Sequence, residues 1–109
     1  MAEPRATYDL RKNAGNVVPD ALRLSIVSGR LALAVSRSGL TRAEIARRSG
    51  VSETAISRYV RGERLVSTHA LVALCDVLRV SSDWVLGLDR RTQALYQAAL
   101  KRDAPEKNG

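Results

Sequence analysis

Residues 41–59, TRAEIARRSGVSETAISRY, decide how the rest of the chain is read. Thr41 and Glu44 make a T-x-x-E capping box, in which hydroxyl and carboxylate each satisfy a backbone N–H left over at a helix start. The helix that follows turns Ile45 and Ala46 inward and Arg47 and Arg48 outward. Gly50 ends it, where the chain needs a left-handed residue. Val51 plugs the turn and Ser52 caps a second helix, whose buried face is Ile56 and Tyr59 at i, i+3 spacing. The stretch predicts two short helices, Thr41–Ser49 and Ser52–Arg61, joined by a tight turn and closed by Gly62.

Upstream, Pro19 and Asp20 are helix-start residues, and the periodicity predicts a helix to Ser38, stopped at Gly39. Val27, Leu31, Ala34 and Val35 share one face. Arg23, Arg30 and Arg37 repeat every seven residues and are expected to form a basic stripe on another. Gly29 weakens the middle, so the early turns can be a separate segment. Residues 1–18 lack periodicity and read as a flexible arm. Arg5, Arg11 and Lys12 in it can reach a minor groove or a phosphate, although a solvated tail is the ordinary alternative.

Downstream, Ser67 caps a fourth helix to about Leu78, with Leu71, Leu74, Cys75 and Leu78 on its apolar face. Ser81 or Ser82 starts a short fifth helix holding Trp84, Val85 and Leu86, stopped by Gly87. Trp84 and Leu88 are expected to close the bottom of the core. Asp89 caps a last helix through Lys101, where Thr92, Leu95, Tyr96 and Ala99 form a stripe that needs a surface, either its own domain or a second copy. The tail from Asp103 to Gly109 is polar and expected to fray. The expected organisation is an arm (1–18), a compact five-helix unit (19–88) and a C-terminal helix and tail (89–109). The fold class is all-α.

The 109 residues carry a net charge of +7, and 45% of them are hydrophobic, with no Phe and one Trp. A core of Ala, Leu, Val and Ile suits closely packed small helices. Between Arg23 and Arg64 stand nine arginines against Glu44, Glu53 and Glu63, so most of the excess charge lies on one segment. Such a balance favours a polyanionic partner, and arginine suits bidentate phosphate and guanine contacts. A single cysteine excludes an internal disulfide and a cysteine-based zinc site. His69 and Cys75 lie six residues apart on one helix, so they do not converge; an exposed histidine and a core cysteine are expected. No metal, cofactor or nucleophile motif is found, and no enzymatic activity is expected. Without a membrane-length apolar run or a signal-peptide core, the chain is expected to be cytoplasmic, associated with the nucleoid and not with a membrane.

Two short helices joined by a glycine-containing turn make the helix-turn-helix pattern, whose second helix enters the DNA major groove. Residues Arg30 to Leu88 resemble the helix-turn-helix domains of the lambda-repressor and Cro type, the XRE family. The resemblance rests on Arg30-Leu31, GLTRAEIARRSGVS, AISRYVRGER, the series Leu71, Leu74, Leu78 and Val80, and the closing SSDWVLGL. Three positions depart from the family pattern. Arg42 stands where Gln usually follows GLT, which keeps a phosphate contact but loses the amide that often braces the recognition helix. Val60 replaces a common Glu, and Val66 replaces the loop Pro.

The resemblance implies that Ser52–Arg61 is the recognition helix, and spacing picks its outward residues independently. With Ala55, Ile56 and Tyr59 turned inward, Glu53, Thr54 and Arg58 are the candidates for base contacts. Arg58 can grip guanine O6 and N7, Glu53 can accept from the cytosine amino group, and Thr54 can meet a thymine methyl or offer its hydroxyl. Glu53 equally suits a plain helix start, where a carboxylate complements the dipole. The candidates for phosphate contacts are Arg37, Arg42, Ser52, Ser57, Arg61 and Arg64, with Arg47 and Arg48 read first as a solvated face. The function expected is sequence-specific binding of double-stranded DNA by a homodimeric transcriptional regulator, in the first instance a repressor, on an inverted repeat. The alternative is an antitoxin that regulates its own operon and binds a toxin or other protein through the arm or the last helix. No room is expected after Leu88 for a ligand-binding domain, so a signal would arrive through a partner, dimerisation or turnover.

Overall fold

The computed structural model describes residues 20–103. The arm, Pro19 and the tail from residue 104 lie outside the described residues, and so do Arg5, Arg11 and Lys12. Six helices follow one another: α1 (Asp20–Ser38), α2 (Arg42–Ser49), α3 (Glu53–Val60), α4 (Thr68–Leu78), α5 (Ser82–Leu86) and α6 (Arg90–Asp103). Among the described residues there is no strand, and no helix is long and apolar enough to cross a membrane.

The helix ends follow the chemistry expected of them. Glu44 N donates to Thr41 Oγ1 at 3.1 Å and Thr41 N to Glu44 Oε1 at 3.3 Å, so both halves of the capping box are closed. Gly50 takes φ +79° and its N–H donates to Ala46 O at 2.8 Å. Ser52, Ser67 and Ser81 each accept from the third backbone N–H of their helices, which assigns the α5 cap to Ser81 and not Ser82. Asp89 does the same for α6, accepting from Thr92 N at 3.1 Å. Replacing any one of these caps by alanine costs about 1 kcal/mol. Gly29 does not divide α1; the helix runs through it unbroken. Arg79 ends α4 at φ +61°, the sole non-glycine with positive φ among the described residues.

One core unites the first five helices. Val27, Leu31 and Ala34 of α1 meet Ile45, Ile56, Tyr59, Leu74, Leu78 and Val85, with Val51 and Val66 filling the turn and the loop. Ile45 and Val85 are wholly enclosed. Truncating Ile45 to alanine would cost about 2–5 kcal/mol, because rigid neighbours relax only partly into the gap. α1 packs against α3, α4 and α5, while α2 packs against α3 and α4. Short polar helices such as α2 hold their shape through this packing more than through propensity.

Two expectations are overturned by the fold. Arg23, Arg30 and Arg37 do not form a solvated basic stripe, and only Arg37 is exposed. Arg23 donates to Leu86 O and Arg30 to Trp84 O, which also accepts from Gly87 N, so two arginines of α1 are drawn to the carbonyls at the end of α5. Helical spacing gave the face but not the neighbour waiting there. Secondly, Leu88 does not close the core. It is 44% exposed, because the left-handed Gly87 (φ +73°) turns the chain outward and Leu88 N donates back to Asp83 O. Trp84 does pack against the core. The α6 stripe is covered in part: Thr92 is 5% exposed and Tyr96 and Ala99 are half-buried, whereas Leu95 is 63% exposed.

The root of α6 is held by a polar knot. Arg30 Nη2 donates to Thr92 Oγ1 at 3.1 Å, and the Thr92 hydroxyl donates to Asp89 Oδ2 at 2.8 Å. The Arg30 guanidinium lies 3.6 Å from Asp89 Oδ1 and 4.9 Å from the Trp84 ring centroid, a cation–π distance. The Thr92 hydroxyl first, then the Thr92 backbone N–H and the Arg30 charge, hold the Asp89 carboxyl below the usual carboxylate range.

Candidate nucleic-acid interface

The candidate residues lie on the helix-turn-helix pair and its flanks. Burial of Ile56 and Tyr59 against the core fixes the roll of α3 about its own axis. The opposite side then carries Glu53, Thr54 and Arg58, all exposed. The three candidates for base contacts therefore share one face of α3, within its first two turns. Glu53 occupies the first helical position, where its carboxylate also complements the helix dipole.

The candidates for phosphate contacts fall into three states. Arg37 and Arg64 are exposed and form no ion pair among the described residues. Ser52 is committed to its cap, with its hydroxyl proton still able to donate outward. The remaining three are tied to partners that sequence spacing did not show. Arg42 Nη1 donates to Ser57 Oγ at 2.8 Å, linking the start of α2 to the middle of α3. The arginine at this position thus supplies a brace of the kind the replaced amide was expected to give, which corrects the expectation that the brace is lost. Arg61 closes on Glu63 with Nε–Oε2 at 2.8 Å and Nη2–Oε1 at 3.3 Å. The hydrogen bond from Arg61 holds the Glu63 carboxyl below its ordinary range, and the same bond raises the Arg61 guanidinium. Arg42 and Ser57 are fifteen residues apart and had no local signal. For Arg61 and Glu63 the overlooked signal was Gly62 between them, whose left-handed turn brings neighbours two residues apart together.

Arg47 and Arg48 are exposed in the last turn of α2, where cations complement the helix dipole. His69 is exposed and Cys75 is buried, with its thiol pushed up by burial. Among the described residues no three His, Cys, Asp or Glu side chains converge as a metal site would require.

α1 holds the interface and α6 on different sides. A side chain added at Gly62, at the end of α3, would meet Ser28 Oγ at 3.2 Å; one added at Gly87, at the end of α5, would meet Ile26 Cγ2 at 3.0 Å. Ser28 and Ile26 project about 160° apart at 100° per residue. The α6 root thus lies across α1 from the end of α3.

A family model described as a helix-turn-helix domain matches residues 26–85. The match spans 60 of the 109 residues and includes the core helices, the turn and the exposed face of α3. The chain belongs to this helix-turn-helix family, in agreement with the resemblance to the lambda-repressor and Cro type. Its fold is that of a DNA-binding domain. No curated protein and no solved structure matches the chain.

Proposed function

We propose that the chain is a sequence-specific transcriptional repressor that lays α3 in the major groove and acts as a homodimer on an inverted repeat. The observation that carries this reading is the exposed face of Glu53, Thr54 and Arg58 on a helix whose other side is locked into the core. Arg58 reads guanine through its two-pronged fork, Thr54 meets thymine or a neighbouring phosphate, and Glu53 accepts from cytosine. Arg37, Arg42, Ser52, Ser57, Arg61 and Arg64 position the duplex through its phosphates. Arg42 has a double duty, since its bond to Ser57 also ties the start of α2 to α3. The unit 19–88 binds DNA, residues 89–109 supply a docking element, and the protein acts by binding and not by catalysis, in the cytoplasm.

An eight-residue recognition helix is about 12 Å long and covers few base pairs, so tight binding at physiological salt requires two half-sites. Selection of bound duplexes from a random pool tests the proposal. A palindromic consensus with half-sites about 34 Å apart is expected. A single asymmetric site would remove the symmetric dimer, and no enrichment would remove sequence-specific recognition.

The exposed Leu88 and Leu95 favour a second reading, in which a protein partner such as a toxin covers α6 while the same domain regulates its own operon. Co-purification with a small protein in fixed stoichiometry, lost on Leu95→Asp, is the result this reading requires.

A further inference from the structure

Arg61 and Glu63 flank Gly62, whose φ of +73° folds the chain so that the two side chains meet in a two-pronged contact. A guanidinium makes the same fork to a phosphate. Both side chains are exposed, 58% and 51%, and such a pair adds little to folding. The turn does not need it either. Gly62 N donates to Tyr59 O at 3.2 Å and Glu63 N to Arg58 O at 2.9 Å, which closes the helix end through backbone alone. The pair therefore stands without a structural duty between Arg58 and Arg64, at the rim of the face that would meet DNA.

We infer that Glu63 is an intramolecular stand-in for a DNA phosphate and sets the sequence-independent affinity of the protein by occupying Arg61. The inference rests on the DNA-binding reading above. Binding is then an exchange in which Arg61 releases the carboxylate and closes on a phosphate, while Glu63 turns to water. A phosphate placed where the fork can close recovers both hydrogen bonds. A phosphate placed elsewhere recovers only a screened attraction and leaves Glu63 close to the backbone charge. The pair thus withholds one cation from DNA of arbitrary sequence.

The test is fluorescence anisotropy of a labelled random-sequence duplex over a salt series, with the wild-type chain, Glu63→Gln, Arg61→Ala and the double variant. Glu63→Gln is expected to tighten binding about two- to fivefold. It should also steepen the logarithmic salt dependence by about 0.9, the signature of one additional phosphate contact. The gain must vanish in the Arg61→Ala background. An unchanged affinity for Glu63→Gln overturns the inference. So does a gain of equal size without Arg61, which would make Glu63 a simple repelling charge. Both results leave the DNA-binding reading standing. A wild-type chain that binds no duplex at low salt removes the two together.

Discussion

On α1, Arg23 and Arg30 reach to the carbonyls that end α5, and Arg30 continues to Thr92 and Asp89. On the helix-turn-helix pair, Arg42, Arg58, Arg61 and Arg64 stay at the surface, two of them resting on a polar side chain of their own unit. The residues are the same and their consequences differ. The first group ties helices together, and the second gives the helix-turn-helix pair an exposed positive surface. What separates them is the neighbour: a helix end with accepting carbonyls absorbs a guanidinium, whereas solvent leaves it available. Counting charge along the chain could not tell them apart.

The comparison breaks most visibly at Arg30. Arg30→Lys keeps the charge but not the planar fork, and Arg30→Ala removes both. Each should lose about 1–3 kcal/mol, because the Thr92 hydroxyl and the Asp89 carboxylate lose the guanidinium that ties them to α1, while Trp84 O keeps only the Gly87 N–H. In a domain of this size that is about 4–8 °C of Tm per kcal/mol. Urea denaturation measures the loss, and DNA affinity per folded molecule should not move; a fall in affinity with no change in stability would place Arg30 in the second group. Arg58→Ala is the converse. Its stability should stay within about 0.5 kcal/mol of wild type, while discrimination at one base pair falls by about 1–3 kcal/mol in competition binding. An operator preference that survives the change would remove Arg58 from base reading.

Arg79 belongs to neither group. Its left-handed backbone (φ +61°) costs a side-chain-bearing residue about 1 kcal/mol relative to glycine. Arg79→Gly should therefore raise the urea midpoint slightly, and a drop would reveal a contact that stabilises the arginine there. The smallest effect is one of pH. The Asp89 carboxyl is depressed in the folded state, so its contribution is complete above the ordinary aspartate value of about 3.9. That contribution is lost as pH falls through the folded-state value. Stability should show a step below about pH 4 that Asp89→Asn lacks, measured by denaturation at constant ionic strength.

Much of the fold was legible because it is locally determined. Thr41 with Glu44, Ser52, Ser67 and Gly50 announce helix ends within four residues of themselves, and the buried positions of α2, α3 and α4 follow a 3.6-residue period. The exposed face of α3 followed from the same period once Ile56 and Tyr59 were placed inward. What escaped was set by long-range neighbours. Arg30 meets Thr92 sixty-two residues on, Arg42 meets Ser57 across the turn, and Leu88 is turned outward by a bond to Asp83. Side chains with long reach and several donors choose partners in three dimensions, so neither a helical wheel nor a charge count could have assigned them.

The position of α1 between the end of α3 and the root of α6 has a mechanical consequence. A Cβ at Gly62 would crowd Ser28 and one at Gly87 would crowd Ile26, so both junctions are closed against α1 by residues without a side chain. A side chain introduced at either glycine would therefore push on the same helix from one flank or the other, besides straining a left-handed backbone. The end of α3 and the end of α5 are in that sense fitted to a single rod.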